Sequence, residues 1–367
     1  MKHITVVLIF FFGAYMSFAN DNDRPITYSP NNDFTELTNS GIPCNVTDSL
    51  ALVDLYNATF GWAWTNRWPA AFGDFTTPVC NWYGVTLRAD GRVEELILSS
   101  NSLNGSVPSS IGDLTELINL RLNGNSLFNT LPISIGNLTK LEVFWIANNN
   151  MIGSIPASIG NLVNLQSLFI DNNQFSGTLP TEMENLVSLM TLFMDNNQIE
   201  GEVPFGMTLL PAFRRFEFFN NNIDSLPDFT GVIMNANWLK VQENRLTFDD
   251  ILPNIGTQLG DFYFPQDSIG IEETQNAFTG TTHIIDLDID DGISDNEYTW
   301  YKDGSYFTGP INSNQLPIGP IDFSDAGVYT CEVTNPSAPL LTLYSRCLLY
   351  TSPSPRDRQK PRMPSSA

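Results

Sequence analysis

Apolar residues recur in the pattern L-x-x-L-x-L-x-x-N-x-L-x-G-x-[IVL]-P, beginning at Val93, Leu117, Leu141, Leu165, Leu189 and Phe213, each 24 residues after the last. Steps of 23 residues then reach Ala236 and Leu259. Within a unit the second and third apolar positions alternate with outward ones, which predicts a short strand with every other side chain inward. One unit cannot cover its own leucine face, so units must stack, and stacking lays their strands side by side. Asn101, Asn125, Asn149, Asn173, Asn197, Asn221 and Asn244 fall just past the strands. A buried amide there needs backbone partners, which a ladder of turns supplies. Pro108, Pro132, Pro156, Pro180 and Pro204 fix the return limb and remove a donor from it.

Eight units in register, with "NSLNGSVPSSIGDLTE", "NNMIGSIPASIGNLVN" and "NQFSGTLPTEMENLVS" among them, resemble the plant-type leucine-rich repeat family, which also occurs in secreted bacterial proteins. The resemblance implies an α/β solenoid over residues 93–270, with parallel strands on the concave face and an irregular or 3-10 convex side. Residues 44–92 resemble that family's N-terminal cap, with a helix from Ser49 to about Asn57 and a cluster of Trp62, Trp64, Trp68 and Trp82. The resemblance also implies a disulfide between Cys44 and Cys80, although Leu87 stands where the family has its usual second cysteine. The last unit is degenerate, and Asp267 is expected at the ladder asparagine's place.

Beyond a linker at 271–281 the period is lost. "NEYTWYKDG" and "SDAGVYTCEVTN" resemble strands C and F of an all-β immunoglobulin-like sandwich over residues 282–346. Trp300 is its core tryptophan, and Tyr329 stands two residues before Cys331 at the tyrosine-corner spacing. Leu287 or Ile289 takes the place of the strand B cysteine, which leaves Cys331 an expected free, buried thiol.

The ends read differently. Residues 1–19 have the basic start, apolar run and small residues of a cleaved secretory signal, and 20–43 a flexible segment after it. Residues 347–367 resemble a translated sequencing adapter and are set aside from the fold. Among charged residues the two exclusions remove five basic and one acidic from a 367-residue chain whose formal net charge is already -23. Such a surface repels nucleic acid and anionic membrane. No segment after the first 19 residues is apolar enough to cross a bilayer.

The outward residue at each strand centre is, in order, Ile97, Arg121, Trp145, Phe169, Phe193, Glu217, Lys240 and Tyr263. Strands about 4.8 Å apart would turn Trp145, Phe169 and Phe193 into a stripe of rings. Two residues on, Asp171 and Asp195 flank it with negative charge and Phe219 extends it, while Arg215 and Trp238 stand two residues before the centre. An apolar stripe facing solvent marks a binding surface. Covering half of three rings, on the order of 300 Å², yields about 7 kcal/mol gross, against an association cost of about 4 to 15 kcal/mol. The acids or the rims must therefore contribute.

Chemistry is sparse elsewhere. Past the signal there is one histidine, His283, so neither a nucleophile-histidine pair nor a zinc set can be assembled from the expected positions. Asp286, Asp288, Asp290 and Glu297 have the spacing of a calcium loop, but Asp291 stands where that loop needs glycine, and a strand with acids outward explains the same pattern. No phosphate loop or dinucleotide fingerprint is present, and no cofactor is implied. The sequence thus reads as a non-enzymatic, extracellular recognition protein, secreted or held at the cell surface. It binds a protein or peptide, preferably cationic, with a glycan ligand or a spacer role as the alternatives.

Overall fold

The computed structural model describes residues 45–68, 82–229, 239–255, 263–266, 273–287 and 293–352. The signal, Cys44 and Cys80, Trp238, Asp267, Asp288, Ile289 and Asp290 lie outside them. The chain divides into two compact units, Met1–Asn173 and Gln174–Ala367.

The first unit opens with the helix Val46–Ala58, three residues earlier than the sequence suggested, because the Asn45 side chain caps it. Asn45 Oδ1 accepts from the backbone N–H of Thr47 at 3.0 Å and of Asp48 at 3.2 Å. The buried Asp48 carboxylate takes the Arg92 guanidinium at 2.9 Å and the Val93 N–H at 2.7 Å, which ties the helix to the first repeat strand. Trp64, Trp68 and Trp82 pack as expected, with Trp68 and Trp82 stacked at 4.5 Å. The fourth member is Tyr56, not Trp62. Trp62 is 63% exposed.

Val85–Leu87 pairs antiparallel with Val93–Ile97. From there every pairing is parallel and in register, through Asn119–Arg121 and Val143–Trp145 to Ser167–Phe169. A second, narrower row of parallel strands follows the turns, with Asn104–Gly105 beside Ser126–Asn129 and Asn150–Gly153 beyond. Each prolin-containing return limb enters a 3-10 turn, as at Ile133–Asn137 after Pro132 and Ala157–Asn161 after Pro156. Leu120, Phe144, Leu168 and Ile146 are buried between the two rows and the turns.

The asparagines do what the pattern demands. Asn149 Oδ1 accepts from Leu127 N at 2.9 Å, while Nδ2 donates to Leu122 O at 3.0 Å and Ile146 O at 2.9 Å. One amide thus joins its own coil to the preceding one. The bonding repeats at Asn125 and Asn173.

In the second unit the same construction continues through Thr191–Phe193, Arg215–Glu217 and Leu239–Lys240, again parallel. Asn221 and Asn244 carry the ladder. The rung after Asn244 is Gln266. Its Oε1 accepts from Leu246 N at 3.3 Å and its Nε2 donates to Val241 O at 3.0 Å. The longer side chain spans what a coil of shorter sequence step leaves open.

The sandwich places Glu297–Lys302 between Ser305–Ile311 and Gly327–Thr334, all antiparallel, with Thr342–Ser352 beyond. His283–Asp286 pairs with Gln315–Ile318 in the facing sheet. Glu273–Phe278 pairs in parallel with Cys347–Ser352. Trp300 and Cys331 are fully buried, and Tyr329 Oη donates to Asp325 O at 2.9 Å to close the tyrosine corner. Ile285, on the strand His283–Asp286, and Leu287 just after it are buried. Burial pushes the Cys331 thiol up to about 12.

Candidate ligand-binding face

Alternation sets the side chains of the face. On Val143–Trp145, Phe144 is buried and Trp145 half-buried on the other side; on Ser167–Phe169 the same holds for Leu168 and Phe169. The backbone register pairs Arg121 with Trp145 and Trp145 with Phe169. Their rings lie 5.2 Å apart at 47°, and the Arg121 guanidinium stands 5.7 Å from the Trp145 ring centre. Arg121 Nε donates to Asn119 Oδ1 at 3.0 Å, which holds the guanidinium over the ring. Asp171 is half-buried on the neighbouring column and accepts from Asn172 Nδ2 at 2.7 Å.

The second unit has a patch at the same repeat positions. Phe193 is half-buried, with the Arg215 guanidinium 4.5 Å from its ring centre. Arg215 is held in turn by Glu217, its Nη2 donating to Oε1 at 2.8 Å. Lys240 donates to Glu217 Oε2 at 3.0 Å and lies 5.9 Å from the Phe219 ring. Glu217 is buried between the two cations. Asp195 is buried as well, accepting from Asn196 Nδ2 at 2.7 Å.

Two features differ from the sequence reading. The rings are half-buried rather than bare, because each leans on a neighbour. Cations also stand directly against rings: Arg121 and Lys240 come from the predicted outward column and Arg215 from the column two residues before it, but nothing in the period says that a guanidinium will cover a ring 22 or 24 residues away. Asp171 and Asp195 keep their places beside the rings, each already sharing a hydrogen bond with the next asparagine.

The calcium spacing finds no support in its described members. Asp286 ends a strand and accepts from Gln315 Nε2 at 2.6 Å. Glu297 begins another strand. His283 is bonded to Gln275 at 2.7 Å. Among the described residues no group of three or more His, Cys, Asp or Glu is placed to hold a metal.

The Leucine Rich Repeat family matches residues 92–114, 140–162 and 164–186, and the Immunoglobulin domain family matches 289–339. The chain has a leucine-rich repeat solenoid fold, followed by an antiparallel all-β region that matches an immunoglobulin domain. Among solved structures, PEPR1–AtPEP1 is similar to it with a TM-score of 0.50 at 22% identity, over 63% of this chain and 32% of that one. The ectodomain of the Arabidopsis thaliana plant membrane receptor kinase GASSHO1/SCHENGEN3, in complex with CASPARIAN STRIP INTEGRITY FACTOR 2, gives 0.48 at 22% identity, over 62% and 30%. The ectodomain of the Arabidopsis thaliana receptor kinase SOBIR1 gives 0.42 at 28% identity, over 49% and 95%. This repeat chain therefore spans about a third of the length of the first two. No curated protein matches it. No described helix is long and apolar enough to cross a membrane.

Proposed function

We propose that the chain is an extracellular recognition protein, secreted or surface-attached, whose concave strand face binds an extended peptide or a loop of a protein partner without catalysing a reaction. The observation that carries this reading is the set of half-buried rings at outward strand centres, Trp145 with Phe169 in one unit and Phe193 in the other, with a guanidinium against Trp145 and another against Phe193. Aromatic and arginine side chains of this kind are the usual anchors of protein interfaces. AtPEP1 and CASPARIAN STRIP INTEGRITY FACTOR 2 are partners of those other receptors; here the peptide reading rests on the side chains.

Because the rings already lean on neighbours, a ligand covers less than the roughly 300 Å² that bare rings would offer. Polar contacts must contribute more. Asp171 and Asp195 would meet a basic side chain of the ligand, while Arg121, Arg215 and Lys240 would meet an acidic one. The partner is thus a peptide with an apolar side chain for the rings and charges on either side of it.

Capture of peptides from a display library by the full chain tests this. Trp145→Ala, Phe169→Ala and Phe193→Ala should each weaken the captured peptide at least tenfold, with thermal unfolding retained. Peptides whose binding ignores all three substitutions would overturn the reading, and selective capture of glycans on an array by the same rings would replace the peptide with a sugar.

A further inference from the structure

The exposed Trp62 raises a separate question, since the cap's other tryptophans are buried and it alone faces solvent. An open cavity of about 610 Å³ lies beside it in the first unit, lined by Phe60, Trp62, Ser100, Ser102, Asn104 and Ser126 among others. That lies within the roughly 300–1,000 Å³ of small-ligand sites. It is distinct from the ring stripe, none of whose residues line it.

Its chemistry is specific. In a chain of net charge -23, none of the lining residues is charged. The wall is an indole and a phenyl ring, edge to face at 6.3 Å and 74°. The polar part of the lining is three serine hydroxyls and the amides of Asn104 and Asn125. Ser102 Oγ shares a hydrogen bond with Thr65 Oγ1 at 2.8 Å, whereas the side chains of Ser100, Asn104 and Ser126 have no hydrogen-bond partner among the described residues. Three polar side chains thus share the cavity with an aromatic platform.

The platform is held at a conformational cost. Phe60 sits in the left-handed region at φ 49, ψ 53, which a bulky side chain rarely adopts, and the turn is closed by Ala63 N donating to Phe60 O at 2.7 Å. Residues kept in such conformations cluster at ligand clamps. Gly61 follows because a side chain there would strike the Tyr56 ring, at 2.0 Å from an added Cβ. The turn therefore aims Phe60 and Trp62 outward while the rest of the cap packs.

We propose that this cavity binds a neutral pyranose sugar. A pyranose has one face of C–H groups that lies on an indole and a rim of hydroxyls that exchange hydrogen bonds with serines and an amide. Its lack of charge matches the lining, and a negatively charged chain would repel uronic, sulfated or sialylated glycans. The sugar comes either from a free or partner glycan or from this chain itself, because Asn104, at the wall, begins the sequon Asn104-Gly105-Ser106.

The full chain, made in a host that does not glycosylate it, is titrated by calorimetry and by protein-observed NMR with neutral and anionic oligosaccharides. Binding of a neutral oligosaccharide, at least tenfold weaker in Trp62→Ala and unchanged in Trp145→Ala, supports the site. Material from a glycosylating host tests the other source: a glycan on Asn104 that occupies the cavity blocks the added sugar, and Asn104→Gln restores it. The proposal is overturned if no neutral sugar binds, if anionic glycans bind as well as neutral ones, or if Trp62→Ala changes nothing while still folding. Peptide capture by the strand face is read separately, so either idea can fail alone.

Discussion

Single side chains show what a local pattern can and cannot tell. Phe169 was readable as outward from its place between the inward Leu168 and Ile170, and it is half-buried against Trp145. The exchange of Tyr56 for Trp62 in the cap was not readable, because a turn has no period and only Phe60's left-handed backbone sends Trp62 outward. Cys331 was readable as a buried free thiol from the missing strand B cysteine, and the consequence is chemical. With its pKa at about 12 instead of 9.0, the native thiol is neutral at pH 8 and shielded. Iodoacetamide at pH 8 should label Cys331 only after unfolding, as read by peptide mass spectrometry; fast labelling of the native chain would refute this. The sign for stability follows from the raised value: the contribution is intact below about pH 9 and is lost as pH rises toward 12.

At the scale of elements, the strands and 3-10 turns of the repeats were legible because each coil repeats the same inward set, and the return-limb prolines mark where each turn starts. Leu168 sits at the centre of that set with no exposed surface. Leu168→Ala should cost about 2 to 5 kcal/mol, measured by urea unfolding, since close-packed neighbours cannot fill the void. A loss below 1 kcal/mol would mean that the coils relax around it. Less regular elements escaped the sequence. Glu273–Phe278, "ETQNAF", has no clean alternation, and its strand exists because the neighbouring strand Thr342–Ser352 offers it an edge. Gln266 escaped because the ladder's step shortens to 22 residues there, one fewer than the step before it.

For the whole molecule, the charge balance dominates. Asp48 pairs with Arg92, and Glu217 with Arg215 and Lys240, each carboxylate buried and each cation partly exposed. Surface ion pairs are worth little, so added salt screens more repulsion than attraction in a chain of net charge -23. The melting temperature should rise by a few degrees between about 0.05 and 0.5 M NaCl, a range that shortens the screening length severalfold. A falling one would show that attractions outweigh the net charge. The family-level architecture was legible from the period, while the pairing of Trp145 and Phe193 with guanidinium groups was not, because side-chain reach across strands leaves no mark in a linear pattern.

The amide rungs have a consequence for how such a chain can change. Each one grips the carbonyl of the coil before it, so a single-residue insertion in the strand-to-rung segment would misalign every grip on one side of it. Length can vary only in the return limb, or by whole coils gained or lost together; the spacing from Asn221 to Asn244 to Gln266 shortens while the bonds persist. The chain can therefore grow by duplication, much as a zip lengthens by complete teeth.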